Sequence, residues 1–489
     1  MIECLVESLM PMTLLWYDLE TFGLHPRWDR IAQFAAIRTD DSFAHVGEPV
    51  VAYCRLTPDY VPHPDACLVT GITPDVVADR GVSEREFAAI VHREMIEPGT
   101  CTVGFNNLRF DDEFVRALFY RNFYDPYRRE YLENNSRWDI LDLLRMFHDL
   151  RPDGIHWLRD ERGVPVFKLE ALAEANDVEH ESAHDALSDV RATIGLARLL
   201  HGVNERLFRF YFSLRKKEEA RKWLNLQKME PVLHTSAMFS SPTGCTSIVL
   251  PLSVAPENPN EVIAYDLRHD PDDWLDADVD EIRRRVFTRK EELGDTPRIP
   301  LKGIHVNRSP AVAPLSTIDA DRASALGLDI DACLEHARKI TARTDIVQRI
   351  RNVYSGRQRR DAHDPDLQIY SGDFFPDEDR IEFDLIRELP PDKLRENPPK
   401  LYDPRGPEML WRYIARNYPE SLSDDERQKW RSFCATRILT PEARGVMDIG
   451  TFMRDVRNRL SRVDTPPRDK VVLKRLLEYG EHLEQTVLA

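Results

Sequence analysis

No pair of cysteines in this chain sits in a CxxC spacing. The seven cysteines (Cys4, Cys54, Cys67, Cys101, Cys245, Cys333 and Cys434) are odd in number and scattered. That pattern sets aside a disulfide framework and a structural zinc site, and makes a reducing cytoplasm the expected compartment. There is no apolar run near the ~20 residues that cross a bilayer, so no membrane is expected as a partner. Met1 to Leu15 carries Glu3, Glu7 and Pro11 rather than a basic n-region, and does not read as a secretory leader. Internal repeats and low-complexity tracts are absent too. Positive charge is scarce: 67 Lys and Arg against 84 Asp and Glu give a net charge of −17. A uniformly acidic body repels phosphates. Nucleic acid stays open as a ligand only where basic side chains gather locally.

What is present reads as a soluble globular protein. Its 489 residues, 42% hydrophobic and 31% charged, are too many for one core and suggest two to four domains. Leu14 to Glu20 reads as a strand that ends in carboxylates, with Thr21-Phe22-Gly23 turning after it. Ile31–Thr39, Val50–Leu56 and Thr100–Phe105 read as further strands. Helices are expected at Asp111–Phe119, Trp138–Leu150, Lys168–Ala175 and Asp185–Leu200, the last with Leu187, Val190, Ile194, Ala197 and Leu200 on one face. Strands followed by alternating helices imply an α/β domain with a mixed sheet. Glu205–Lys228 is basic and reads as helical. Short runs at His234–Phe239, Thr246–Leu252, Val262–Leu267 and Lys302–Asn307 suggest a small barrel. After a linker near 355–365 the chain reads as helical to its end.

The chemistry lies in a scattered set of acids. Asp18 and Glu20 are two apart on a strand and so share a face. Two carboxylates there repel unless a cation lies between them, and hard oxygens suit Mg²⁺ or Mn²⁺. Taken alone, such a pair is usually a solvated surface. Asp111 opens a helix, where the bland reading, shared by Asp112, is N-terminal capping. Asp189 lies one turn inside another helix with His184 just before it, and singly these read as surface residues. Order and spacing together are more specific: a strand-borne DxE, an Asp after a Gly-Phe-Asn-Asn strand end, then His-x4-Asp opening a helix. Phosphodiester hydrolysis needs an activated water and a stabilised leaving alkoxide. Two divalent ions ~4 Å apart between carboxylates supply both. Asp18, Glu20, Asp111 and Asp189 are then the metal ligands, and His184 takes the proton of the attacking water.

At these residues the chain resembles the DEDDh 3′→5′ exonuclease superfamily, and within it the bacterial exonuclease I family. The matching text is YDLETFGLHP (17–26), GFNNLRFDDEFVRALFYRNFYDPY (104–127), NSRWDILDLLRMFHDLRPDGIHW (135–157) and FKLEALAEANDVEHESAHDALSDVRATI (167–194). Further on it includes HTSAMFSS, PLSVAPENPNEVIAYDL, IPLKGIHVNRSP and LWRYIARNYPESL. It covers nearly the whole chain, unlike relatives that end after the catalytic domain.

The resemblance implies three domains: a ribonuclease H-like α/β exonuclease domain with a mixed sheet at 1–202, an SH3-like β-barrel domain with a basic helical lead-in at 203–356, and a C-terminal helical domain at 357–489. It implies hydrolysis of single-stranded DNA to 5′-mononucleotides with two Mg²⁺ ions, Mn²⁺ able to substitute, in DNA repair or recombination by a monomer. It implies substrate contacts from Glu20, Arg116, Tyr127 and Arg145. Tyr131 stands where the family can show a Trp, and Lys168 where it commonly shows an Arg; an ammonium cannot fork onto a phosphate as a guanidinium does. The segment 116–145 interleaves cations and rings, which sequence-independent capture of a single strand needs. The family also binds the acidic, apolar C-terminal tail of single-stranded DNA-binding protein, for which Arg151 matches a position. Two other readings stand beside this one: an RNA 3′→5′ exonuclease with the same carboxylates, and a non-catalytic single-strand binding module, which would expect a broken ligand set.

Overall fold

The computed structural model describes residues 12–180, 185–356, 362–443 and 445–488. The first domain is built on a five-stranded sheet. Its strands are β1 (Thr13–Thr21), β2 (Ile31–Thr39), β3 (Val50–Tyr53), β4 (Thr100–Gly104) and β5 (Ser136–Asp139), in the order β3-β2-β1-β4-β5. β1, β2 and β3 pair antiparallel, whereas β4 and β5 run parallel to β1. The sheet is therefore mixed, as expected. Both faces are covered. Leu15, Tyr17 and Leu19 of β1 join Phe34, Phe87, Phe114 and Leu118 on one side. Leu14 and Trp16 join Val190, Ile194 and Ala197 on the other. Asp18 and Glu20 continue the second row, so they emerge beside the helix Ala186–Val203.

Two turns set the mouth of this sheet. Gly104 ends β4 where an added Cβ would lie 2.7 Å from the Asn107 Cβ and 3.0 Å from the Tyr17 carbonyl oxygen. Asn106 then takes a left-handed turn at φ 66°, a conformation Asn tolerates better than most residues. The chain thereby reverses sharply into the helix Asp111–Arg121.

A two-stranded ribbon, β6 (Leu158–Arg159) and β7 (Pro165–Val166), precedes the helix Leu169–Ala175, and its Arg159 donates to the Pro242 carbonyl of the middle domain. That domain holds an antiparallel sheet of β8 (Val232–Thr235), β9 (Thr246–Ala255), β10 (Asn258–Asp266), β11 (Leu301–His305) and β12 (Val312–Pro314), in the order β11-β10-β9-β8-β12. The helices Val279–Phe287, Ile330–Thr341 and Ile346–Tyr354 complete it. The last part is helical, with its longer members at Asp377–Glu388, Gly406–Asn417, Asp424–Leu439, Ile449–Ser461 and Pro467–Leu483. It shares cores with the first domain: Trp28, Tyr60 and Cys67 pack with Trp430, Phe452 and Leu473, and Phe123 packs with Phe383 and Tyr413. Among the described residues no helix is long and apolar enough to cross a membrane.

Several elements differ from the sequence reading. Trp138 and Asp139 belong to β5, and the helix starts at Ile140. β5 reads Ser-Arg-Trp-Asp, with a single apolar residue and its buried Arg137 and Asp139 held by hydrogen bonds from elsewhere in the fold, so neither a period of two nor an apolar run marks it as a strand. Glu205–Lys228 forms two helices, Glu205–Ser213 and Lys217–Trp223. The run from His234 becomes β8 and then a single 3₁₀ turn, Ala237–Phe239. Three helices between β3 and β4 (Pro64–Thr70, Pro74–Arg80 and Glu84–Ile96) were not anticipated.

Candidate active site

Asp18, Glu20 and Asp189 each turn a carboxylate oxygen to one point, and these oxygens lie within 4.8 Å of one another. Strand β1 supplies the first two and the first turn of Ala186–Val203 supplies the third. Asp111, the first residue of its helix and buried, raises the pKa of both Asp18 and Glu20 by its charge. Burial, the largest influence, together with Asp111, Glu20 and Asp189 pushes the Asp18 carboxyl well above the usual range. Burial and then Asp189 and Asp111 push Glu20 up to about 8. Burial, with Asp112 and Asp139 adding, pushes Asp111 to about 8 against the pull of its own backbone amide and that of Leu19. Among the described residues no Lys or Arg pairs with Asp18, Glu20 or Asp111. Like charges gathered in a half-dry place without a cation are costly. This hard-oxygen donor set fits divalent cations such as Mg²⁺.

The neighbouring acid shows the contrast. Asp112 is fully buried, yet it accepts from Tyr17 Oη at 2.6 Å, Arg129 at 2.5 Å and Arg137 at 2.7 Å. Burial alone would raise its pKa, but Arg129, Arg137 and Arg116 hold it well below the usual range. Of two adjacent aspartates, one is a structural anchor and the other belongs to the acidic cluster. The capping reading of Asp111 gives way to this placement.

His184 lies outside the described residues. Sequence reasoning passed over His180, whose Nε2 lies 2.6 Å from Asp189 Oδ1. A second imidazole four residues before His184 was the signal available. Asp185, which adds to the raised pKa of Glu20, was also passed over.

The expected substrate residues fall into two groups. Lys168 is exposed just before the helix Leu169–Ala175 and has no partner among the described residues. Tyr131 is 65% exposed, and Tyr127 stands edge-on to the exposed Phe374 of the last domain at 5.9 Å. Arg145 is tied to Asp142 at 2.7 Å and lies 5.7 Å from the Phe167 ring centre. Arg116 departs from the picture of a free phosphate ligand. It is buried and donates to Glu130 at 2.7 and 2.9 Å and to Glu113 at 2.9 Å, so its guanidinium is already spent. It lies 5.2 Å from the Tyr127 ring centre and supports that ring from within the protein. Arg151 is exposed, and its guanidinium donates to the carbonyls of Leu150 and Thr317, bridging first and middle domains.

A mixed-sheet domain with carboxylates converging at one end of β1 defines an exonuclease of the metal-dependent class, a superfamily that needs divalent ions. Comparison with known families agrees. The model described as Exonuclease matches residues 15–197, that of the Exonuclease I SH3-like domain matches 215–356, and that of the Exonuclease I C-terminal domain matches 363–483. Exodeoxyribonuclease I of Escherichia coli is 41% identical over 431 residues, 88% of this chain and 90% of that protein. The structure of a moderately thermophilic exonuclease I from Methylocaldum szegediense shares 41% identity at a TM-score of 0.92, over 96% of this chain and 99% of the other. A zinc-bound complex of E. coli exonuclease I with single-stranded DNA shares 38% identity at a TM-score of 0.91, over 97% of this chain and 100% of the other. The chain belongs to the exonuclease I family.

Proposed function

We propose that this enzyme hydrolyses single-stranded DNA from its 3′ end to 5′-mononucleotides. The observation that carries the reading is the convergence of Asp18, Glu20 and Asp189 within 4.8 Å, beside a buried Asp111 and, among the described residues, with no Lys or Arg paired to Asp18 or Glu20. Asp18, Glu20, Asp111 and Asp189 would hold two Mg²⁺ ions, with Mn²⁺ able to replace them. Bound there, the ions supply positive charge at the scissile phosphate and lower the pKa of water.

The chain's own residues do the remaining work. The raised carboxylates favour a cation over solvent, since each is ionised at a cost until one arrives. His184 is the residue assigned to accept the proton of the attacking water, a task suited to an imidazole, whose ordinary pKa is near neutrality. Lys168 offers an ammonium to a phosphate. Tyr127 and Tyr131 offer ring faces to bases, a mode that tolerates any sequence. Arg116 contributes by holding Tyr127 in place. Arg151 is proposed for the acidic tail of single-stranded DNA-binding protein, where the chain works as a cytoplasmic monomer in DNA repair.

The test is digestion of 3′- and 5′-labelled single strands with and without Mg²⁺. The reading expects mononucleotides from the 3′ end only, full loss with chelator and little action on blunt duplex. Release from the 5′ end, or an undiminished rate in chelator, would sink it. Matched RNA strands in the same assay separate the ribonuclease alternative, because the carboxylates alone do not read the 2′-hydroxyl.

A further inference from the structure

A cleft of about 390 Å³ opens where the first domain meets the last. Its lining comes from Val82 and the helix Glu84–Ile96 after it, from Tyr124, and from Arg387 near the end of the helix Asp377–Glu388. Val82, Ala89, Ile90 and the Tyr124 ring form an apolar wall. The volume falls in the range of small-molecule sites, about 300–1,000 Å³. The cleft shares no residue with the acidic cluster or with the expected substrate contacts.

Its charge is positive and incompletely matched. Arg85 is half-buried. Its guanidinium donates to the Arg387 carbonyl oxygen at 3.3 Å and lies 5.6 Å from the Tyr418 ring centre. Among the described residues no carboxylate pairs with it. Arg387 lies 4.3 Å from the Tyr124 ring centre, pairs with Asp384 and donates to the Phe123 carbonyl. Glu86 also lines the cleft, but its carboxylate is turned to Ser83, accepting from the amide at 3.1 Å and the hydroxyl at 2.8 Å. His92, whose ring lies 4.3 Å from that of Tyr124, feels the same field. Burial first, then Arg387 and Arg128, lowers its pKa to about 4.

The backbone that delivers Tyr124 is strained. Phe123 adopts φ 58°, a left-handed value costly for a bulky side chain. Such strain persists only where the surroundings over-determine it, and it gathers at ligand sites. Here the Phe123 ring stands 5.1 Å from Phe383 and 5.5 Å from Tyr413, and the Tyr124 amide donates to the Phe119 carbonyl at 2.9 Å. The bend separates two neighbouring rings: Phe123 enters the core shared with the last domain, and Tyr124 faces the cleft.

We propose that this cleft binds a nucleoside 5′-monophosphate, with its phosphate on the Arg85 guanidinium and its base against Val82, Ala89 and Ile90. A planar guanidinium can fork onto a phosphate, and an apolar wall with few polar groups suits a flat base. The inference rests on the proposed reaction, whose product is such a monophosphate. It gives that product a second site, separate from the one where it is formed.

The experiment titrates dTMP by calorimetry into the full-length protein in chelator, with a saturating oligodeoxythymidylate already bound so that the strand path is filled. The wild type should take up one dTMP per chain. Arg85→Ala should bind it about tenfold more weakly or worse, the scale of a hydrogen bond to a charged group. Ala89→Trp, at an exposed helix position, should abolish uptake by filling the space. With Mg²⁺ restored, both variants should degrade single strands at the wild-type rate, which shows them folded. Thymidine and inorganic phosphate should each bind about tenfold more weakly than dTMP. Equal uptake by the wild type and both variants, or none by a wild type that degrades single strands, would overturn the site alone. Phosphate held as tightly as dTMP would overturn the base contact. A wild type that neither binds the oligomer nor degrades it would overturn the reading that names the ligand, and this inference with it.

Discussion

Two clusters of buried acid in this molecule are built on opposite plans. At the mouth of β1, Asp18, Glu20 and Asp111 are crowded with no guanidinium paired to them among the described residues, and burial and mutual repulsion raise their pKa values. At the seam between the first and last domains, Asp59, Asp366 and Glu84 are buried as well, but arginines meet each one. Arg416 reaches Asp366 at 2.5 Å and Asp59 at 2.9 Å, and Arg121 reaches Glu84 at 2.6 Å. Burial alone would raise Asp59 and Asp366, but Arg416 leads a set of arginines that holds both well below the usual range. The seam satisfies its charge internally and joins domains. The mouth, among the described residues, leaves its charge unmatched, which is the arrangement the proposed cations would complete.

Substitutions should separate the two. The largest effect is expected at the mouth. Asp18→Asn should lower the turnover of single-stranded DNA by about 10⁴-fold or more, the scale for one member of a catalytic unit. Its thermal midpoint in chelator should hold or rise, because a repelled charge is removed. A matching loss of stability would erase the contrast.

At the seam the outcome should invert. Arg416→Met leaves Asp59 and Asp366 buried with their main partner gone, which costs about 3–5 kcal/mol. Denaturant titration should find that loss, while cleavage chemistry on the folded fraction persists. A stability within 1 kcal/mol of the wild type would show the network to be dispensable, with ~1 kcal/mol the usual limit for surface pairs.

Acid sharpens the comparison further. The folded-state pKa values of Asp59 and Asp366 are depressed, so their contribution is complete above the unfolded carboxylate pKa of ~3.9 and is lost as pH falls below it. Stability measured downward from pH 5 should fall steeply under about pH 4. The fall should be shallower in Asp59→Asn. An equal slope in both proteins would detach Asp59 from acid unfolding.

The smallest effect is expected at the substrate path. Tyr131→Ala should weaken binding of single strands by about 1 kcal/mol, the low end for one stacked base. Tyr131→Trp should leave it intact. Indifference to both would remove Tyr131 from the path.

How much of this was legible in the sequence depended on range. Asp18 and Glu20 could be placed on one face because strand period is local, and the helix that carries Asp189 showed its apolar stripe. Local pattern gave Asp111 and Asp112 the same capping reading, and only the order of the acids and the resemblance singled out Asp111, since what divides the two is Arg129 and Arg137, reached only after the chain folds back. Arg116 looked free for the same reason: Glu130, its strongest partner, lies in a single 3₁₀ turn, Arg128–Glu130, fourteen residues on. The break between Glu205–Ser213 and Lys217–Trp223 carries no Gly or Pro, so nothing local announced it. The ionic seam was invisible, as Asp59 and Arg416 are 357 residues apart. The exonuclease I resemblance supplied the domain plan, which periodicity alone left as an α/β part, a small barrel and a helical end.

The central claim is that the crowded acids at β1 exist to hold divalent cations. Manganese binding to the nuclease, followed by titration calorimetry or by electron paramagnetic resonance, addresses it most directly. The wild type should take up two ions per chain, and Asp18→Asn should lose at least one of them. Equal uptake by both proteins, or none by either, would contradict the account.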